Sequence, residues 1–260
     1  LPGPHKKPHL KLSRISVIIS YNTIKGGFVM ELCHEYRGRL MEPDFGAEGE
    51  IKLSALMRHM QQSGSDQLAA LGITYDKMLE HGEVFLMSCH ELRRTETPIL
   101  PGDIVVTTWP RMSRGARFFR DYRICDVSGQ LLAECSTAWV LVELATRRIL
   151  RPSSSAIVKP MHFDRSVSFG DPGRLIMPGN LMPLRRLKVG HSLLDVNGHV
   201  NNAVYADFLL DCVSELRPGA RIVRQIISFC SEALEGDELT LCAADEGDCV
   251  YVAGMIGDKR

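Results

Sequence analysis

The chain has 260 residues, 45% of them hydrophobic and 24% charged, with 31 Lys and Arg against 31 Asp and Glu for a formal net charge of zero. That length buries a substantial core as one large domain or two fused smaller ones. A neutral balance carries no overall footprint for nucleic acid or an anionic membrane, and no segment approaches the ~18–20 continuous apolar residues that span a bilayer.

Residues 1–27, rich in Lys, His and Pro and closed by Gly26 and Gly27, differ in composition from the rest of the chain and read as a non-native or disordered leader, with Met30 as a candidate natural start. The basic residues before "ISVIIS" are followed by no small-residue cleavage site, so the stretch reads as neither signal nor anchor. From Ile51, the residues Leu53, Leu56, Met57, Met60, Leu68 and Leu71 recur mostly at helical spacing, and Gly72 closes the pattern as a C-cap. Strand-like runs follow at 83–92, 102–109, 117–126 and 131–144, joined by Pro-Gly, Ser-Arg-Gly and Val-Ser-Gly turns. One helix followed by an antiparallel meander is an α+β unit, here assigned to residues 28–150.

The Pro-, Ser- and Gly-rich stretch 151–180 reads as a connector. Beyond it the same plan returns over 181–260. Val204, Tyr205, Phe208, Leu209, Cys212 and Val213 form a narrow apolar stripe on a helix that Pro218-Gly219 ends. The strand candidates "RQIISFCSEAL", "GDELTLCAA" and "CVYVAGMI" come next. No final returning strand is legible after Gly257-Asp258, so a sheet edge is expected to stand open or to be covered by the N-terminal "RISVIISY" run. The eight cysteines form no Cys-x-x-Cys pair and read as reduced core thiols of a cytoplasmic protein.

The segment 195–205, "DVNGHVNNAVY", crowds polar residues against the second helix. Asn197-Gly198 alone suits a turn, and Asn201 or Asn202 alone suits an N-cap. A cap does not require His two residues after Asn with Asp two before it. Alternate residues of an extended segment share a face, so Asp195, Asn197 and His199 can converge.

Together with "TTW" at 107–109, "FFRDYRI" at 118–124 and "AWVLVELATRRILRP" at 138–152, the segment "DVNGHVNNAVYADFLLD" resembles the active-site signature of the acyl-acyl carrier protein thioesterases. The resemblance implies an α+β tandem (double) hotdog, each half a long helix wrapped by an antiparallel sheet. It implies catalytic roles for Asp195, Asn197 and His199, and for Glu232 on the strand after the second helix. Ala233 stands where some members carry Cys. Cys230 offers a thiol nearby, though a buried core thiol is the simpler reading.

On that resemblance Glu232 would hold and deprotonate water with help from His199, Asn197 would orient substrate or water, and Asp195 would fix the hydrogen bonds and tautomer. Free amides of a helix starting near Asn201 or Asn202 would face the thioester oxygen. The first half would enclose the acyl chain, lined by Leu53, Met57 and Met60. An acidic acyl carrier protein would meet Arg147, Arg148 and Arg151, or Arg185, Arg186 and Lys188. No cofactor, metal, nucleic acid or membrane is implied, and two fused halves suit a monomer or a homodimer. The function read from these residues is hydrolysis of a fatty acyl-carrier protein thioester. An acyl-coenzyme A thioesterase and a non-catalytic acyl-binding module are the alternatives.

Overall fold

The computed structural model describes residues 33–158 and 162–257; the leader, Met30 and the "RISVIISY" run lie outside them. The first half comprises β1 (His34–Leu40), α1 (Leu53–Ala70), α2 (Tyr75–Glu80), β2 (Glu83–Arg94), β3 (Gly102–Arg114), β4 (Arg117–Asp126), β5 (Leu131–Glu143) and β6 (Ile149–Leu150). The second comprises β7 (Met182–Lys188), α3 (Val204–Leu216), β8 (Arg224–Ser228), β9 (Glu238–Glu246) and β10 (Cys249–Ile256). Among the described residues no helix is long and apolar enough to cross a membrane.

The apolar stripe of α1 faces the sheet: Leu53, Leu56, Met57 and Met60 are all buried, each contributing about 1.5–3 kcal/mol. Gly72, at φ +75°, stops the helix in a left-handed turn that residues with a Cβ avoid. Its N–H donates to the Ala69 carbonyl at 2.9 Å, and the Ile73 N–H donates to that of Leu68 at 2.8 Å. The chain then starts α2, which the sequence reading omits, with the Thr74 hydroxyl accepting the Lys77 amide.

The sheets confirm two hotdog units in one chain. The larger runs β1-β3-β4-β5-β2-β8, with β6 beside β5, and the smaller runs β7-β9-β10. In order, β7, α3, β8, β9 and β10 repeat β1, α1, β2, β3 and β4. In the first half β5 lies between β4 and β2; among the described residues no strand fills the matching slot between β10 and β8. The sequence reading also omits β1 and β7. Both are edge strands with mostly polar residues, "HEYRGRL" and "MPLRRLK", and an edge strand buries too little to show an apolar signature.

The run "RQIISFCSEAL" is not one strand. β8 ends at Ser228, and Glu232 lies in the loop after it, because β8 pairs with β2 on one side only. That pairing joins the halves, and Ala203, Ala206 and Ile227 share an apolar cluster with Leu56 and Met57.

The connector contains no strand or α-helix among its described residues, yet buried carboxylates of the sheet hold it down. Glu83 accepts from the Ser155 hydroxyl (2.6 Å) and the Ala156 amide (2.9 Å), Asp121 from the Val167 amide (3.0 Å), and Glu91 from the Gly173 amide (2.6 Å). The Trp109 indole donates to the Arg165 carbonyl at 2.9 Å. Burial pushes the Asp121 carboxyl above its ordinary range, against the Ser136 hydroxyl, the Val167 amide and Arg111. Burial also pushes Glu91 up, but Gly173, Arg93 and Arg224 together outweigh it and hold the carboxyl below its ordinary value.

A carboxylate with a lowered folded-state pKa lends stability above its unfolded value, ~4.3, and loses it as pH falls through the folded value. Glu91→Gln is therefore expected to cost about 1–3 kcal/mol at neutral pH and to flatten the acid-side loss of stability. Urea titrations of both proteins between neutral and acid pH check this; equal stability at neutral pH would contradict it.

Candidate active site

The polar segment forms a closed turn. Leu194 and Val200 face each other as an antiparallel bridge, the Asp195 N–H donates to the His199 carbonyl at 2.8 Å, and the Gly198 N–H donates to the Asp195 carbonyl at 3.0 Å. Gly198 has φ +76°, which makes glycine the apt residue there. The Asp195 carboxylate accepts the Asn197 amide at 2.8 Å, so its visible role is to brace the turn.

The first half holds the same turn with other chemistry. Phe45 and Ile51 form the matching bridge, the Gly46 N–H donates to the Glu50 carbonyl at 2.8 Å, and Gly49 also has φ +76°. Gly46, Glu48 and Glu50 therefore stand where Asp195, Asn197 and His199 stand in the second half. The Glu50 carboxylate is engaged by Arg94 at 2.8 Å and by Arg221 at 3.6 Å.

His199 and Leu234 form a further bridge, and the Val200 N–H donates to the Ala233 carbonyl, which ties the turn to the loop after β8. The loop thereby delivers Glu232. Its Oε2 lies 3.3 Å from His199 Nε2 and its Oε1 lies 3.5 Å from the Arg147 guanidinium. His199 is partly buried, Glu232 is exposed at the rim, and Arg147 is largely exposed. Ala233 is buried against Val200 and Phe208, so its methyl fills core space next to the site.

Two groups from the first half reach this cluster. Tyr75, at the start of α2, donates its hydroxyl to Asn197 Oδ1 at 2.5 Å. Arg147, in the turn between β5 and β6, has φ +58°, a strained conformation for a residue with a side chain, and makes the contact with Glu232. Sequence reasoning misses Tyr75 because α2 has only six residues and Tyr75 is remote in sequence from Asn197. Tyr205 borders the same loop. Burial first, then the Asp195, Asp237 and Glu232 carboxylates, raises its pKa.

Two expectations are corrected. The helix starts at Val204, not near Asn201 or Asn202. Asn201 folds back, its Oδ1 accepting the Ala203 amide at 2.9 Å and its carbonyl accepting the Val204 amide at 2.9 Å, so those two amides are already engaged. Cys230 is not a buried core thiol but exposed, as is Cys249; Cys89, Cys135, Cys212 and Cys242 are buried. Arg185 faces Asp211 and Glu215 of α3 at 3.2 and 4.0 Å, while Arg148, Arg151, Arg186 and Lys188 are exposed. Asn202 is partly buried just ahead of α3. Of the residues expected to line an acyl pocket, Met57 and Met60 line a cavity under α1, and Leu53 packs into the core.

The chain matches the family model of the acyl-ACP thioesterase N-terminal domain over residues 34–157 and that of the acyl-ACP thioesterase C-terminal domain over residues 182–250. It is 22% identical over 181 residues to acyl-[acyl-carrier-protein] hydrolase FATB2, chloroplastic, of Cuphea viscosissima, covering 65% of this chain and 44% of that protein. It is also 22% identical over 182 residues to palmitoyl-acyl carrier protein thioesterase, chloroplastic, of Arabidopsis thaliana, with the same two shares. The chain thus spans less than half the length of these curated relatives. Among solved structures it is similar to an acyl-ACP thioesterase from Bacteroides thetaiotaomicron, with TM-score 0.76 and 22% identity over 86% of this chain and 93% of that one. The 12:0-ACP thioesterase from Umbellularia californica is similar too, with TM-score 0.72, 17% identity and the same coverage.

The thiol environments give a direct check on the loop carrying Glu232. Brief alkylation of the native protein, read by peptide mass spectrometry, is expected to label Cys230 and Cys249 well before Cys89, Cys135, Cys212 and Cys242. Protection of Cys230 would contradict this placement of the loop.

Proposed function

The chain belongs to the acyl-ACP thioesterase family, and from that premise we propose that it hydrolyses the thioester of a fatty acyl chain borne by acyl carrier protein. The observation that carries this reading is the approach of His199 Nε2 to Glu232 Oε2 at 3.3 Å, with Asn197, two residues before His199 in the same turn, held by the Tyr75 hydroxyl. A water molecule held against the exposed side of the His199–Glu232 pair loses a proton to that pair as its oxygen attacks the thioester carbonyl carbon. The carbonyl π electrons move to oxygen, and the tetrahedral intermediate collapses with cleavage of the C–S bond. The carrier thiolate leaves and takes up the proton that the pair holds.

The developing oxyanion needs a donor. The Ala203 and Val204 amides are engaged by Asn201, so they are poor candidates without rearrangement. The Asn197 amide is better placed by its own bonding. Its Oδ1 accepts the Tyr75 hydroxyl, which leaves the Nδ2 protons to be donated to the thioester oxygen. Asp195 acts one step back by accepting the Asn197 backbone amide. Arg147, beside Glu232, with Arg148 and Arg151 exposed in the adjoining stretch, offers positive charge to an acidic carrier and to its phosphopantetheine phosphate.

Free-thiol release from carrier thioesters of graded chain length tests the proposal. Wild type is expected to turn over, while His199→Ala and Glu232→Ala each lose about 100- to 10,000-fold in kcat. Equal turnover by the folded variants would remove the pair from the mechanism. Absence of turnover by wild type on any carrier-bound or coenzyme A thioester would overturn the proposed activity.

A further inference from the structure

The interior under α1 is more polar than an unsubstituted acyl chain calls for. Across the inner face of the sheet Arg120, Thr137 and His90 lie side by side on β4, β5 and β2, with Thr108 and Tyr122 paired one step along. Arg120 is buried and donates to Gln67 of α1 and, at 3.2 Å, to the Thr108 hydroxyl, both uncharged acceptors. Gly64 sits above this row. A Cβ there would stand 3.1 Å from the Tyr122 hydroxyl and 3.6 Å from Arg120 Cδ. Glycine is unfavourable inside a helix, and here it leaves room for polar groups beneath.

His90 is the least satisfied member of this set. It is 1% exposed, and among the described residues neither ring nitrogen has a hydrogen-bond partner. Burial pushes its pKa down to about 4, so at neutral pH the imidazole offers one donor and one acceptor. With Tyr122, Thr137, Met57, Met60 and Met87 it lines a cavity of about 10 Å³, the space of one water-sized group.

We propose that this cavity is a subsite for an oxygen substituent on the acyl tail, a hydroxyl or oxo group that hydrogen-bonds to His90 and is flanked by Tyr122 and Thr137. The proposal rests on the thioesterase reading for the identity of the chain as an acyl group. His90 pairs with Ile227 of β8, and Glu232 follows Ile227 by five residues, a span of at most about 18 Å, so a fatty acyl chain whose thioester sits at Glu232 is long enough to reach the subsite. A plain methylene there leaves both imidazole nitrogens unmet, and a site built to hydrogen-bond discriminates against a ligand that lacks the bonding group. The three methionines beside His90 can shift to admit a chain around it.

The test is calorimetric binding to the full chain of free fatty acids of one length, either unsubstituted or carrying a hydroxyl or oxo group at successive carbons. Free acids require no turnover, so the result is independent of catalysis. Wild type is expected to bind one tail-oxygenated isomer on the order of tenfold more tightly than the plain acid. His90→Leu is expected to abolish that preference without weakening the plain acid, and His90→Gln to retain part of it, which keeps the test open if the leucine variant folds poorly. Equal affinities for all isomers in wild type, no measurable binding, tightest binding of the plain acid, or a preference that survives both substitutions would each overturn the proposal. An isomer preference in a protein that hydrolyses no thioester would refute the proposed activity and leave this subsite standing.

Discussion

Five residues of β8 hydrogen-bond along β2, from Arg224 opposite Arg93 to Ser228 opposite Cys89, and the composite site depends on that pairing. It makes a strand of the second half the edge of the first half's sheet and places α3 in one apolar cluster with α1. The loop leaving β8 then has a fixed origin, and the single bridge between His199 and Leu234 fixes its far side. Glu232 is caught between these anchors, facing His199. Without the joint between halves, Tyr75 and Arg147 would have no route to Asn197 and Glu232.

The internal repeat explains why one half carries the proposed chemistry and the other the proposed acyl chamber. Both halves build the same glycine turn ahead of the helix, with the same bridge and the same positive φ. In the second half the turn presents Asn197 and His199. In the first it presents Glu48 and Glu50, and two arginines engage Glu50, a carboxylate bound in that way being a poor base. The polar groups of the first half lie instead on the sheet beneath the helix, where His90, Arg120 and Tyr122 are buried. The turn's backbone geometry recurs in both halves, and the side chains it presents differ.

Much of this was legible in the sequence wherever one physical signal dominated. The stripe from Leu53 to Met60 and the stop at Gly72 marked α1, because burial of one face and a left-handed cap each leave a distinct residue pattern. The strands of the first meander were legible within a few residues except β3, which runs five residues further. Edge strands β1 and β7 were not, since their exposed faces carry charges that mask the alternation. The start of α3 was placed too early because Asn201 looks like an N-cap, whereas its side chain closes a turn ahead of the helix. His199 and Glu232 meet in space, but their proximity was inferred through the family resemblance, as nothing in their separation of 33 residues forces it. Tyr75 had no sequence signal at all, because its role depends on the packing of two halves.

The central claim is that catalytic groups of the second half work only as positioned by the first. A double-mutant cycle between Tyr75→Phe and Asn197→Ala, read as kcat/KM on a carrier-bound acyl thioester, tests it most directly. The account predicts coupling of about 0.5–3 kcal/mol, with the double variant little worse than Asn197→Ala alone, since the hydroxyl acts through the amide it holds. Strictly additive losses, or a Tyr75→Phe variant as active as wild type, would contradict it.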